Sequence, residues 1–300
     1  MSVSKALRRG LALSGLLAAG LVVPAGAGAA PAHAACVTRP AANTAAIPGT
    51  AAVSRATAAA VQRDLRQREQ THPARKSKAP FTVGVVWNVF YDQATGEGNL
   101  SDAALQRQID VVNQAFSPVG LSFRTYQVYR YGVSHAVLHG VAEGNQNEAY
   151  LKQTHKYNQQ YLNLFTARPD DSRGWATFPW DYASRPGYDG VVLNSDTMPG
   201  GTRPDYDEGK TAVNLIGHWT GLWSTYQGGC SGEGDYVADT PAEASPAVGC
   251  PTGRDTCPAA GTDPIHNYMD DSTDHCRVQF THGQLQRVIG TLAQYRGINL

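Results

Sequence analysis

Asn214-Leu215-Ile216-Gly217-His218-Trp219-Thr220-Gly221-Leu222-Trp223-Ser224 overlaps a stretch, residues 211–223, whose apolar spacing and close glycines predict a helix. Asn214 and His218 stand at i and i+4, on one helical face. Around this helix the chain alternates between strand and helix patterns. Residues 81–90 alternate and are rich in valine, so they predict a strand. Ser101-Asp102 then caps a helix with Leu105, Ile109, Val112 and Phe116 on one face. Strands follow at 120–131, 161–167 and 189–194, a helix at 147–157, and a closing helix at 281–295. The alternation predicts an α/β (α+β) core with a mixed sheet.

Composition narrows the function classes. Apolar residues make up 42% and charged residues 17%, which is ordinary for a globular chain and excludes disorder. The zero formal net charge hides a division. Residues 1–80 carry 11 Lys and Arg against 2 Asp and Glu, whereas residues 81–300 carry 14 against 23. The acidic main domain would repel phosphate, so nucleic acid is not expected as a partner.

Residues 1–35 predict a signal peptide. Lys5, Arg8 and Arg9 precede an apolar run from Leu11 to Val23, and Ala32-His33-Ala34 is a small-residue cleavage site. No later stretch is apolar enough to span a bilayer, so the expected product is secreted, extracellular and monomeric. Residues 36–79 read as a pro-segment or mobile lead-in, with a helical register at 51–68 and a basic, cleavable boundary at Arg75, Lys76 and Lys78. Residues 80–300 form the main domain. Export makes Cys230, Cys250, Cys257 and Cys276 disulfide partners, in one of three possible pairings, and leaves Cys36 as the odd cysteine. Asn99-Leu100-Ser101 is a glycosylation sequon.

The 214–224 stretch follows the frame H-E-x-x-H-x-x-G-x-x-H. In that pattern two histidines on one helical face reach zinc, a glutamate activates the zinc-bound water, and a glycine turns the chain toward a third histidine. Here His218 and Gly221 keep their places, while Asn214, Leu215 and Ser224 occupy the other three. The flanks extend the match: Gly174-Trp-Ala-Thr-Phe-Pro179, Gly190-Val-Val, Met198-Pro-Gly-Gly, residues 228–243 (GGCSGEGDYVADTPAE), Gly249-Cys250-Pro-Thr-Gly-Arg-Asp-Thr-Cys257 and Asp263-Pro-Ile-His-Asn-Tyr-Met269-Asp. On these motifs residues 80–295 resemble the pappalysin (cytophagalysin) family of metzincin zinc metalloproteases.

The resemblance implies a metzincin-like fold with an upper sheet subdomain, the 211–223 helix, a disulfide-stapled lower subdomain and a methionine turn at Met269. It implies the pairings Cys230 with Cys257 and Cys250 with Cys276. It also places Asp271 where the family carries a tyrosine that steadies the oxyanion. Of the zinc ligands only His218 remains, and neither the general base at Leu215 nor the tyrosine at Asp271 is present. Zinc is therefore a doubtful cofactor, and structural calcium is expected near Asp235, Asp239, Thr240 and Glu243, which offer hard oxygen donors.

The expected function is a secreted pseudoprotease that binds a peptide or protein in its cleft. The alternatives are an active metalloprotease with unconventional ligands and a non-catalytic adhesive domain using Trp175, Trp180, Trp219 and Trp223. His135 and His139 also stand at i and i+4, but no third ligand is evident at a useful spacing, so they read as two unrelated histidines on a surface connection. His266, His275 and His282 cluster in sequence near Met269, and a rebuilt metal site would draw on His275 and Asp271.

Overall fold

The computed structural model describes residues 53–73 and 80–300. The signal peptide, Cys36 and the basic boundary at Arg75, Lys76 and Lys78 lie outside the described residues.

The sheet has five strands in the order β2-β1-β3-β5-β4. Strand β1 (Phe81–Asp92) is central, paired in parallel with β2 (Leu121–Val133) on one side and β3 (Tyr161–Ala167) on the other. Its valines and Trp87 are buried on both faces, which is the condition that a near-continuous apolar strand reports. Strand β5 (Val191–Asn194) adds in parallel to β3, and the short β4 (Gly174–Ala176) closes the edge in antiparallel sense. Three residues are too few to show a period, so β4 was not predicted.

Helix α1 (Arg55–Thr71) precedes the sheet, and α2 (Asp102–Phe116), capped by the Ser101 hydroxyl on Ala104 N–H, connects β1 to β2. Two short helices follow β2, α3 (His135–His139) and α4 (Gln146–Lys152). Helix α4 stops short of the predicted 157, and the chain turns at Tyr157 with φ 68°. Helix α5 (Lys210–Trp219) packs its Ala212, Val213, Leu215 and Ile216 into the main core with Trp87, Leu164, Val191 and Met269. It ends at Trp219 rather than at 223. Gly221 takes φ +102°, and a side chain there would meet Thr291 at 2.8 Å.

Beyond α5 the chain is largely irregular, and its staples replace regular structure. Among the described residues, disulfides join Cys230 to Cys257 and Cys250 to Cys276, the pairings that the resemblance implied. Helix α6 (His282–Thr291) starts with a reciprocal capping box between Thr281 and Gln284. Helix α1 docks on this lower region. Ala58 packs with Phe178 and Trp223, Gln62 accepts from Arg287 Nη1 (2.7 Å), and the Tyr295 hydroxyl donates to Asp64 (2.8 Å).

Candidate functional site: the α5 helix and the methionine turn

Helix α5 rests on the turn that carries Met269. A side chain at Gly217 would run into the Met269 sulfur, and its Cβ would lie 3.2 Å from Cε, so only glycine permits this approach. The His218 ring is buried. Its Nδ1–H donates to the Leu222 carbonyl (2.9 Å), which makes Nε2 the lone-pair nitrogen. Burial drives its pKa down to about 4, so the imidazole is neutral at physiological pH. Phe178 meets it edge-on at 5.4 Å and belongs to an aromatic cluster with Trp180 and Trp223.

The other motif positions are committed to structural work. The Asn214 amide donates to the Tyr268 carbonyl (2.8 Å) and so ties α5 to the methionine turn. Leu215 is fully buried, and a Cβ on Gly174 of β4 would come within 2.8 Å of its Cδ1. Ser224 is half-buried, and its backbone carbonyl accepts from Gln227 N–H (3.0 Å). Asp271 forms a buried ion pair with Arg173, whose guanidinium lies 3.7 Å from the centre of the Tyr206 ring. Burial raises the Asp271 pKa, and the charges of Arg173 and Arg277 oppose the rise. The Tyr206 hydroxyl donates to the Asp271 carbonyl (3.1 Å).

Arg173 and Tyr206 were missed in the sequence because each meets Asp271 across tens of residues of chain. The one signal available was Asp271 itself. A carboxylate at a buried motif position calls for a cation, and Arg173 directly precedes the Gly174 motif.

This donor set does not suit zinc. One imidazole is aligned, whereas a zinc site usually takes three protein donors from N, S or carboxylate groups. His218 is absent from both described clusters in which three His, Cys, Asp or Glu donors lie within 4.8 Å. His266 donates from Nδ1 to the Cys276 carbonyl (2.8 Å), His275 lies beside Thr273 and His282 opens α6. The cysteines of the cluster Cys250, His266 and Cys276 are joined as a disulfide and offer no thiolate.

The calcium candidates divide. Asp235 accepts from Val237 N–H (3.0 Å) through Oδ1, while its Oδ2 and the Thr240 hydroxyl are buried without a well-formed hydrogen bond. Burial raises Asp235 to about 7, the mark of a carboxylate in need of a cation or a proton. Asp239 instead receives Gly283 N–H in the first turn of α6 (2.8 Å). Glu243 accepts from Thr225 (2.6 Å) and Arg254 (2.8 Å), and burial together with the neighbouring Asp270 raises it to about 8.

A mixed sheet, a helix laid on a methionine turn and a disulfide-stapled lower half define a metzincin-like metalloprotease fold. The sequence profile described as Pregnancy-associated plasma protein-A (Peptidase M43) matches residues 144–293, and the chain belongs to that family. Extracellular metalloprotease 1 of Coccidioides posadasii is 39% identical over 73% of this chain and 79% of its own length. An extracellular metalloprotease of Verticillium alfalfae is 40% identical over 73% and 78%. Among solved structures, Tannerella forsythia mature mirolysin in complex with a cleaved peptide superposes with a TM-score of 0.62 at 26% identity, covering 71% of this chain and 91% of its own. A Tannerella forsythia promirolysin mutant covers 80% and 90% with a TM-score of 0.67 at 26% identity. No helix among the described residues is long and apolar enough to cross a membrane.

Proposed function

We propose that this chain is an extracellular pseudoprotease: a member of the pappalysin-type family that keeps the cleft and binds a peptide or protein segment as a monomer, without hydrolysing it. The observation that carries this reading is the general-base position. Leu215 is fully buried there and has no group that could take a proton. Loss of a general base alone costs on the order of 10² to 10⁴ in rate. Loss of the metal removes the activated water as well, since bulk water has a pKa of about 15.7 against about 7 on zinc.

The cleft features support binding. Strand β4 is the sheet edge, a place where extended peptides can add through main-chain hydrogen bonds. A cavity of about 400 Å³ runs beside it, lined by Trp175, Thr177, Phe178 and Tyr188. The mirolysin structure that superposes on this fold was solved with a cleaved peptide. Structural calcium is proposed at Asp235 and Thr240, whose buried oxygens want a partner.

The test incubates the mature protein with a peptide library, beside a variant carrying Asn214→His, Leu215→Glu, Ser224→His and Asp271→Tyr. The native chain is expected to bind peptides saturably and leave them intact, and the variant to gain cleavage that a chelator stops. Chelator-sensitive cleavage by the native chain would overturn the reading.

A further inference from the structure

The turn after β1 and helix α3 bring together side chains that the α5 site does not use. His135 and His139 open and close α3, four residues apart on one face, with ring centroids 4.1 Å apart. Glu97 points Oε2 at both, 3.4 Å from His139 Nε2 and 3.9 Å from His135 Nδ1. These separations are long for hydrogen bonds. They suit neighbouring donors around one ion, because metal–donor bonds of about 2.0–2.1 Å in a tetrahedron set donors about 3.3 Å apart. All three donor atoms lie within 4.8 Å of one another.

The surroundings orient each donor. His139 Nδ1 meets Asp170 Oδ1 at 2.9 Å, which fixes the ring with the Nε2 lone pair toward the gap. The other oxygen of Glu97 is held by Arg168, which also binds Asp196 (2.6 Å). Asp92 receives Ala94 N–H (2.7 Å) and Thr95 N–H (3.2 Å) on Oδ1 and presents Oδ2 to His135 Nδ1 at 3.6 Å. Three carboxylates, Asp92, Glu97 and Asp170, thus surround two imidazoles, and among the described residues the one guanidinium paired with them, that of Arg168, is shared with Asp196. The balance favours a cation. The His135 side chain is 68% exposed, so an ion can approach from solvent.

We propose that Glu97, His135 and His139 form a binding site for a divalent cation of the zinc class, with Asp92 or water as fourth donor and Asp170 as the orienting partner. Two imidazoles and a carboxylate suit zinc and its first-row neighbours better than calcium or magnesium. The ion would clasp the turn after β1 to α3, at the rim of a cavity of about 370 Å³ that His139, Asp170 and Trp175 help to line.

The test is calorimetric titration of zinc into the dialysed mature protein, with thermal unfolding and the visible spectrum of the cobalt-substituted form as second readouts. One zinc per chain is expected, with a raised Tm and the strong visible bands of tetrahedral cobalt. His139→Ala and Glu97→Gln should weaken binding by more than about 100-fold, and Asp170→Asn by about 10- to 100-fold. The exposed His135→Ala must fold as the native chain does and show the same loss as His139→Ala. Failure of the native chain to take up zinc, or uptake that survives His135→Ala, would overturn the proposal.

Discussion

His218 is a buried imidazole with one hydrogen bond to the Leu222 carbonyl, and burial holds it neutral down to about pH 4. Unfolded, the same ring takes a proton below about pH 6.5. The unfolded state therefore binds more protons between those values, and stability falls as pH drops from about 6.5 to 4. The effect amounts to about 3 kcal/mol at the acid end. Denaturant midpoints of a His218→Gln variant, followed from pH 7 to 4, should show a shallower acid slope than the native chain, and an unchanged slope would contradict a buried neutral ring. Asp271 and Arg173 invite a second test. Asp271→Ala leaves a buried guanidinium unpaired and should cost about 3–5 kcal/mol, whereas Arg173→Met with Asp271→Leu should cost far less. Chemical denaturation of both variants measures the difference. Of the site residues, those inside the helical motif were legible because their spacing is local. Arg173, Tyr206 and Glu97 were not, because each reaches its partner through the fold rather than along the chain. His135 and His139 were visible as a pair, but the carboxylate that completes their triangle sits 38 and 42 residues earlier in the sequence.

At the scale of elements, α5 and the methionine turn are held by shape. Gly217→Ala places a methyl against a fully buried methionine and should destabilise the chain by about 1–3 kcal/mol, read as a lower Tm. A neutral result would mean that the turn yields easily and that the glycine serves another purpose. The strongly periodic elements were predicted close to their observed bounds: β1, α2, β3 and β5 carry unbroken apolar patterns, and Ser101 marks one boundary. The misses share a cause. Strand β4 and helix α3 are too short to show a period, and α5 ends early because the Gly221 turn overrides apolar residues that continue to Trp223.

Across the whole molecule, the sheet and the stapled lower half follow the family, while three motif positions between them take structural roles. Asn214 serves as a strut, Leu215 as core and Asp271 as half of an ion pair. Four of the five strands of the upper sheet were legible from sequence pattern, and the edge strand β4 was not. The lower half has little regular structure, and only its glycine, cysteine and aspartate motifs identified it. The measurement that tests this account most directly is the zinc content of a dialysed His135→Ala, His139→Ala double variant, which removes the proposed α3 site and leaves α5 intact. A folded protein with no bound zinc is expected. One equivalent of zinc retained in that variant, and lost when His218→Ala is added, would contradict it, because α5 would then hold a metal centre with donors not recognised in the fold.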